Sequence, residues 1–197
     1  MTPQTIAQKM VEGNKGLLAA DESTGTIQKR FDAIGVENTE ENRRAYRELL
    51  FTAPNFERYI SGVILFDETI RQSTKDGVPF VELLASKGVL PGIKVDIGTE
   101  PFAEGSLEVL TKGLGGLCER LKEYYQLGAR FTKWRAVIAI GENIPTDECI
   151  LENMNRLAEY AKLVQESGMT PIVEPEVLMD GGHTASLCFD VTQTTLR

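Results

Sequence analysis

Gly92-Ile93-Lys94-Val95-Asp96 has the composition of a buried strand, yet it carries two charged side chains. Side chains alternate between the two faces of a strand, so Lys94 and Asp96 point the same way. Two later stretches, 131–135 and 171–176, repeat this spacing of charges. Burying unpaired charges is costly, so converging charges must pair with each other or with a ligand. The pattern predicts a polar site where the strands of an α/β protein end.

The residues that carry these charges are the first candidates for a functional site. Lys133 and Arg135 share one face of their strand, and Glu174 and Glu176 share one face of theirs. A fourth strand-like stretch, near residues 16–21, ends on the carboxylate of Asp21.

Composition sets limits on the class of protein. The chain has 197 residues, of which 42% are hydrophobic and 25% charged, as in one soluble globular domain or part of a larger one. A net charge of −8 argues against nucleic acid as the main partner. No run of about 18 apolar residues predicts a membrane span. The start has no signal-peptide pattern, so a cytoplasmic location is expected.

Cysteine and histidine usage argues against a metal-dependent site. Cys118, Cys149 and Cys188 are widely spaced and form no metal or redox motif, which fits a reducing compartment. His183 is the single histidine, whereas a catalytic zinc site usually draws on two or three. We therefore expect no metal and no cofactor.

The chain alternates short apolar runs with longer amphipathic ones. Strands are predicted near 16–21, 60–66, 91–96, 130–138 and 170–175. Helices are predicted over Thr24–Ala33, from Asn38 to Thr52, over Ser106–Leu127 and Thr146–Ser167, and from Thr184 onward. Strands separated by helices predict a parallel sheet, either a (β/α)8 barrel or a doubly wound sheet.

Two observations favour the (β/α)8 TIM barrel. No glycine-rich nucleotide-binding motif follows any strand, and charged residues recur at the carboxyl ends of four strands, where barrel enzymes place their chemistry. A full barrel takes about 250 residues, however, and residues 1–197 supply only about five βα units. We therefore expect a single domain over 1–197 that is a truncated barrel.

Lys133 has two interpretations of similar weight. Its stem could pack inside while its ammonium reaches water. Alternatively, Arg135 and Lys94 are neighbouring cations in a desolvated pocket, which would lower the pKa of Lys133 and favour amine chemistry on carbonyls.

Glu174 and Glu176 flank Pro175 and also have two interpretations. They are either carboxylates of an edge strand, where proline is tolerated, or a general acid/base with a lysine partner. Like charges on one face would raise the pKa of one of them toward neutrality.

Asp21-Glu22-Ser23-Thr24-Gly25-Thr26 follows the first strand and opens a helix. Ser23 and Thr24 are ordinary helix N-cap residues, but the same hydroxyls and amides could hold a phosphate. Lys29 and Arg30, one turn later, are either a solvated face or anion ligands.

Taken together, these stretches resemble the class I, Schiff-base fructose-bisphosphate aldolases. The matching segments occur in the order and spacing of the family across nearly the whole chain: 16–25, 34–44, 60–66, 92–96, 131–135 and 171–176. The resemblance implies a metal-independent (β/α)8 barrel, tetrameric in the full-length family. It also implies reversible cleavage of fructose 1,6-bisphosphate, a reaction of glycolysis, into dihydroxyacetone phosphate and glyceraldehyde 3-phosphate.

The resemblance also implies catalytic roles. Asp21 would handle the proton of the C4 hydroxyl or steer the charge of the Schiff-base lysine. Lys133 would support carbinolamine formation and C–C cleavage through its positive charge. Glu174 would be the general acid/base for carbinolamine dehydration, and Glu176 would pair with the lysines.

Substrate binding is assigned in the same way. Lys94 would bind substrate near a phosphate, and Arg135 would bind substrate on the face it shares with Lys133. Ser23, Arg30 and Arg43 match positions that contact substrate or phosphate.

One departure from the family pattern is serious. The lysine that forms the Schiff base is expected in a Leu-Lys-Pro motif beyond Arg197, so residues 1–197 alone are expected to be inactive. The alternative is a non-catalytic phosphosugar-binding protein or fragment derived from the aldolase barrel. A third hypothesis is another barrel enzyme, such as a deoxysugar-phosphate or transaldolase-like lyase, that uses Lys133 or Lys94 as its own imine lysine.

Overall fold

The computed structural model describes residues 1–197 and contains seven strands. In chain order they are β1 (Gly16–Ala20), β2 (Ile60–Leu65), β3 (Leu90–Lys94), β4 (Thr99–Pro101), β5 (Val109–Thr111), β6 (Phe131–Ile138) and β7 (Thr170–Val177). Five of them form one parallel sheet in the order β1-β2-β3-β6-β7, and β4 pairs with β5 in an antiparallel hairpin. Neighbouring strands of the sheet follow one another along the chain, as in a (β/α)8 barrel; in a doubly wound sheet the order reverses. The predicted barrel-type fold is confirmed.

Eight α-helices accompany the strands. They are α1 (Pro3–Val11), α2 (Thr24–Asp32), α3 (Glu40–Phe51), α4 (Asp67–Ile70), α5 (Phe80–Ser86), α6 (Leu117–Leu127), α7 (Asp147–Glu166) and α8 (Ala185–Thr195). The side chains of Ser23, Thr39 and Thr146 accept N-terminal N–H groups of α2, α3 and α7, which satisfies donors that have no partner within the helix. None of the eight is both long and apolar enough to cross a membrane.

The helix expected over Ser106–Leu127 is wrong in its first half. Residues Val109–Thr111 instead form β5, and α6 begins only at Leu117. The cause lies between them, where Gly113 has φ 137° and Gly116 has φ 66°, conformations that end any helix and that glycine tolerates. The predicted helices that became α2, α3, α7 and α8 are confirmed within about two residues at their ends.

The two faces of the sheet have different packing partners. The outer face packs against the helices in one apolar cluster that includes Val63, Ile93 and Trp134, all fully buried. The inner face is apolar where the strands begin, with the Phe131 ring over Gly62 and Gly92. A Cβ on Gly92 would lie 2.3 Å from that ring, and one on Gly62 would lie 2.9 Å from it. The inner face is therefore filled at its amino end and free for charged side chains at its carboxyl end.

Helix α1 covers the amino end of the sheet. Ile6 and Met10 pack against Ile64, Leu90 and Phe131 in a small separate apolar cluster. The helix also has polar contacts at both of its ends: the Ser61 hydroxyl of β2 donates to Met10 O at 2.6 Å, and the Thr170 hydroxyl of β7 donates to Pro3 O at 2.7 Å. One helix thus connects strands from distant parts of the sheet.

Candidate active site

A cavity of about 1020 Å³ lies at the carboxyl ends of the parallel strands. Of the nine predicted site residues, it brings together five: Asp21, Ser23, Lys94, Lys133 and Arg135. Two more, Glu174 and Glu176, contact lysine and arginine side chains of this group. The cavity therefore lies where the charge pattern of the strands predicts a polar site.

Lys133 occupies the centre of the group. Its Nζ lies 3.3 Å from Asp21 Oδ2 and 2.7 Å from Glu174 Oε2, and only 8% of the residue is exposed. Burial by itself would lower the pKa of Lys133, but contact with Glu174 and the charge of Asp21 outweigh it and raise the pKa. The expected lowering of this pKa is therefore wrong, because carboxylates rather than cations are its nearest charged neighbours.

The other two cations of the inner face are also paired. Lys94 Nζ contacts the carboxylate of Asp96 and donates to Asp96 O at 2.8 Å. Arg135 contacts Glu176, so the carboxylate expected to pair with the lysines pairs with an arginine.

The pairs between β6 and β7 follow from the register of the two strands. Lys133 lies opposite Ile172 and Arg135 opposite Glu174, yet each cation contacts the carboxylate two residues further along β7. Alternation along β6 and β7 thus places both ion pairs on the inner face of the sheet.

The turn after β1 carries Asp21 and begins α2. Ser23 Oγ accepts the N–H of Thr26 at 3.4 Å, which confirms the N-cap role, and both residues line the cavity. Arg30 and Arg43 do not line it. Arg30 contacts Glu22, whereas Arg43 binds Glu68 through two hydrogen bonds of 2.8 and 2.6 Å.

Sequence reasoning missed several polar residues that line the cavity, among them Asp67, Arg120 and Tyr124. The Tyr124 hydroxyl donates to Asp67 Oδ1 at 2.9 Å, and burial together with the Asp67 charge raises the pKa of Tyr124. Arg120 donates to the backbone oxygens of Val95 and Gly113. Asp67 could have been found, since it follows β2 as Asp21 follows β1. Tyr124 and Arg120 reach the cavity from α6, which no strand pattern indicates.

A buried glutamate that had no predicted role organises the rim of the cavity. Glu108, 6% exposed, accepts the N–H of Thr146 at 2.6 Å and the Thr146 hydroxyl at 3.0 Å. About two turns further along α7, Asn153 donates to Val109 O at 3.0 Å. These contacts attach the β4–β5 hairpin to α7, and residues of the hairpin, including Leu107 and Val109, line the cavity.

The arrangement can bind anions and move protons. Four cations, Lys94, Arg120, Lys133 and Arg135, line a space wide enough for a small molecule. Lys133 also joins two carboxylates that could exchange a proton with a bound substrate. No group of three or more histidine, cysteine, aspartate or glutamate side chains is arranged to hold a metal ion.

Comparison with known proteins identifies relatives over nearly the whole chain. The family model for class I fructose-bisphosphate aldolase matches residues 3–197. A protein of Xanthomonas campestris named probable fructose-bisphosphate aldolase class 1 is 62% identical over 191 residues, which are 97% of this chain and 57% of that protein. The spinach fructose-bisphosphate aldolase, cytoplasmic isozyme, is 57% identical over 92% of this chain and 51% of its own.

A solved structure agrees with these matches. Fructose-bisphosphate aldolase from Plasmodium falciparum, in complex with TRAP and a small-molecule inhibitor, superimposes with a TM-score of 0.94 at 52% identity. The match covers 98% of this chain and 56% of that one. The chain thus spans about half the length of the curated relatives it matches.

Proposed function

Because the chain belongs to the class I fructose-bisphosphate aldolase family, we propose that the whole protein cleaves fructose 1,6-bisphosphate reversibly through a lysine Schiff base. The products are dihydroxyacetone phosphate and glyceraldehyde 3-phosphate. The observation that carries the proposal is the position of Lys133, buried between Asp21 and Glu174 at the carboxyl ends of the strands. This arrangement supplies a fixed positive charge and two proton-accepting groups within one cavity.

The steps of the reaction make different demands on these residues. Formation and dehydration of a carbinolamine need a group that gives and takes a proton, which we assign to Glu174. Cleavage between C3 and C4 needs removal of the C4 hydroxyl proton, which we assign to Asp21. Lys133, with its raised pKa, stays protonated and stabilises negative charge as it develops.

Anion binding is assigned to the remaining cations. Lys94 and Arg135 line the cavity with one charged partner each and can turn toward a substrate phosphate. Ser23 and the N–H groups at the start of α2 form a second candidate for phosphate binding, since helix N-termini favour anions. Arg30 and Arg43 would need to leave Glu22 and Glu68 to take part.

The nucleophile is the remaining requirement. An imine forms on a neutral amine, whereas Lys133 lies against two carboxylates and its pKa is raised. Lys94 Nζ is held in an ion pair with Asp96. We therefore propose that neither forms the Schiff base and that the lysine of a Leu-Lys-Pro motif, absent from residues 1–197, supplies it to the whole protein.

Borohydride trapping tests this assignment. Residues 1–197 and the full-length protein are each incubated with fructose 1,6-bisphosphate, EDTA and borohydride, and the intact mass and the modified lysine are then determined. We expect an adduct only in the full-length protein, at a lysine outside 1–197. An adduct on Lys94 or Lys133 would refute this assignment and support the transaldolase-like hypothesis. Undiminished turnover by full-length Lys133→Ala would refute the electrostatic role assigned to Lys133.

A second candidate function is the binding of sugar phosphates without turnover. The observation that favours it is the set of three cations on the inner face of a chain that spans about half of its relatives. Calorimetry of residues 1–197 with fructose 1,6-bisphosphate and with fructose 1-phosphate tests it. Binding without turnover would support it, and no binding to a folded chain would remove it.

We further propose a cytoplasmic location and a homo-oligomeric state. The location is supported by relatives named cytosolic or cytoplasmic. The oligomer, a tetramer in the full-length family, rests on the family resemblance. Light scattering of the full-length protein would measure its mass, and a monomer at micromolar concentration would refute the oligomer.

A further inference from the structure

A buried arginine lies directly behind the turn that carries Asp21. The side chain of Arg47, on α3, is 3% exposed, and its Nη2 lies 2.9 Å from Glu22 Oε2. The same nitrogen donates to the backbone oxygen of Glu22 at 3.0 Å. Arg47 therefore holds both the side chain and the main chain of the residue next to Asp21.

Glu22 is held from two other directions as well. The Tyr46 hydroxyl donates to Glu22 Oε1 at 3.3 Å, and Arg30 of α2 contacts the same oxygen. The Arg47 guanidinium lies over the ring of Tyr46, with its central carbon 5.1 Å from the ring centroid. The carboxylate of Glu22 is thus fixed between α2 and α3.

The Arg47 side chain is not arranged for stability alone. Its Nε and Nη1 are buried and have no hydrogen-bond partner. Leaving buried donors unpaired is unfavourable, and apolar side chains commonly replace buried ion pairs without loss of stability. Since the two unpaired nitrogens of Arg47 disfavour folding, its presence here is better explained by the position it imposes on Glu22.

The contacts of Arg47 with Glu22 also restrain the position of Asp21. The residue before Glu22 is Asp21, whose Oδ2 lies 3.3 Å from Lys133 Nζ. A shift of about one ångström in such a group can reduce catalysis by about a hundredfold. Because a single peptide unit joins the two residues, movement of Glu22 changes the distance between Asp21 and Lys133.

We propose that Arg47 is a positioning residue: it fixes Glu22 and, through it, the turn after β1, so that Asp21 stays within reach of Lys133. The consequence for catalysis rests on the proposed aldolase function. The positional effect on Asp21 and Lys133 does not.

The first test measures position without using activity. In the full-length protein labelled with ¹⁵N-lysine, the Lys133 ammonium is titrated by NMR in the wild type and in Arg47→Met, Arg47→Lys and Glu22→Gln. Loss of the nearby Asp21 charge should lower the pKa of Lys133 by about one pH unit in Arg47→Met. Arg47→Lys, which keeps the positive charge on a shorter side chain, should lie between it and the wild type. Arg44→Met is the matched control, since Arg44 lies on the same helix and contacts only Glu41 and Glu48.

The second test measures turnover of fructose 1,6-bisphosphate by the same variants. We expect kcat to fall by about tenfold or more in Arg47→Met with KM little changed, and Arg44→Met to match the wild type. A Lys133 pKa and a kcat that both stay at wild-type values in folded Arg47→Met would overturn the proposal. If that variant does not fold, the same result in Glu22→Gln overturns it. A shifted Lys133 pKa in a protein without turnover would refute the proposed function and leave the positioning role intact.

Discussion

At the scale of single residues, Lys133 shows how pairing can outweigh burial. Desolvation disfavours a buried ammonium, but this one is held by Asp21 at 3.3 Å and Glu174 at 2.7 Å. The balance keeps the charge in place and raises the pKa of Lys133. Because its charge persists at neutral pH, Lys133 serves better as an electrostatic group than as a nucleophile.

The raised pKa of Lys133 predicts how its contribution to stability depends on pH. A group whose pKa is higher in the folded state stabilises fully below its unfolded value, here 10.5, and this contribution is lost as pH rises through the folded value. Lys133→Met should lower the free energy of unfolding by about 3 kcal/mol at pH 9, and the difference from wild type should shrink as the pH rises above 10.5.

Urea denaturation at several alkaline pH values measures this difference. Lys162→Met is the control, since Lys162 is exposed on α7 and makes no ion pair. A difference between wild type and Lys133→Met that stays constant across this range would contradict the linkage.

At the scale of elements, the inner face of the sheet is layered along the strands. Phe131 fills the space above Gly62 and Gly92, and the next inward residues along β3 and β6 are Lys94 and Lys133, which lie opposite each other. The apolar layer thus supports the charged layer directly. Crowding in the apolar layer should therefore disturb the packing of the charged layer.

Gly92→Ala tests this layering. Its Cβ would stand 2.3 Å from the Phe131 ring, so the strand or the ring must move, and we expect a loss of about 2 kcal/mol in the free energy of unfolding. Gly16→Ala is the matched strand control, with nothing within 4 Å of the added carbon, and should change stability by less than about 0.5 kcal/mol. Equal effects of the two substitutions, measured by denaturation, would show that the ring is not confined.

Sequence patterns predicted some elements and missed others for identifiable reasons. The five strands of the sheet could be predicted because they are short apolar runs between longer amphipathic ones. The pairs of Lys133 and Arg135 with β7 follow from side-chain alternation and the strand register. The β4–β5 hairpin was missed because a run from Ser106 to Leu127 looks amphipathic until the conformations of its glycines are known. Tyr124 was missed because its approach to the cavity depends on how α6 packs.

At the scale of the whole molecule, helix α1 is the element that joins distant parts of the chain. Ile6 is fully buried beneath the sheet, and Pro3 and Met10 accept hydrogen bonds from β7 and β2. No strand or site pattern indicated this helix, since its partners lie far away in sequence. Its contribution should appear in global stability and not in local structure.

Ile6→Ala tests that contribution. Removing a fully buried side chain at the base of the sheet should lower the free energy of unfolding by about 3 kcal/mol. Val11→Ala removes a side chain that is 78% exposed on the same helix and should cost less than about 0.5 kcal/mol. Chemical denaturation of the two variants compares them, and similar midpoints would mean that α1 is only loosely attached.

The hydrogen bond from Thr170 to Pro3 O joins residues 167 positions apart, and this separation has a consequence during protein synthesis. At typical translation rates, roughly ten to thirty seconds pass between emergence of α1 from the ribosome and emergence of β7. Through that interval α1 can dock only on the strands already made, beginning with β1 and β2. The nascent chain therefore exposes part of the apolar face of α1 for seconds, the period in which a ribosome-associated chaperone would find it.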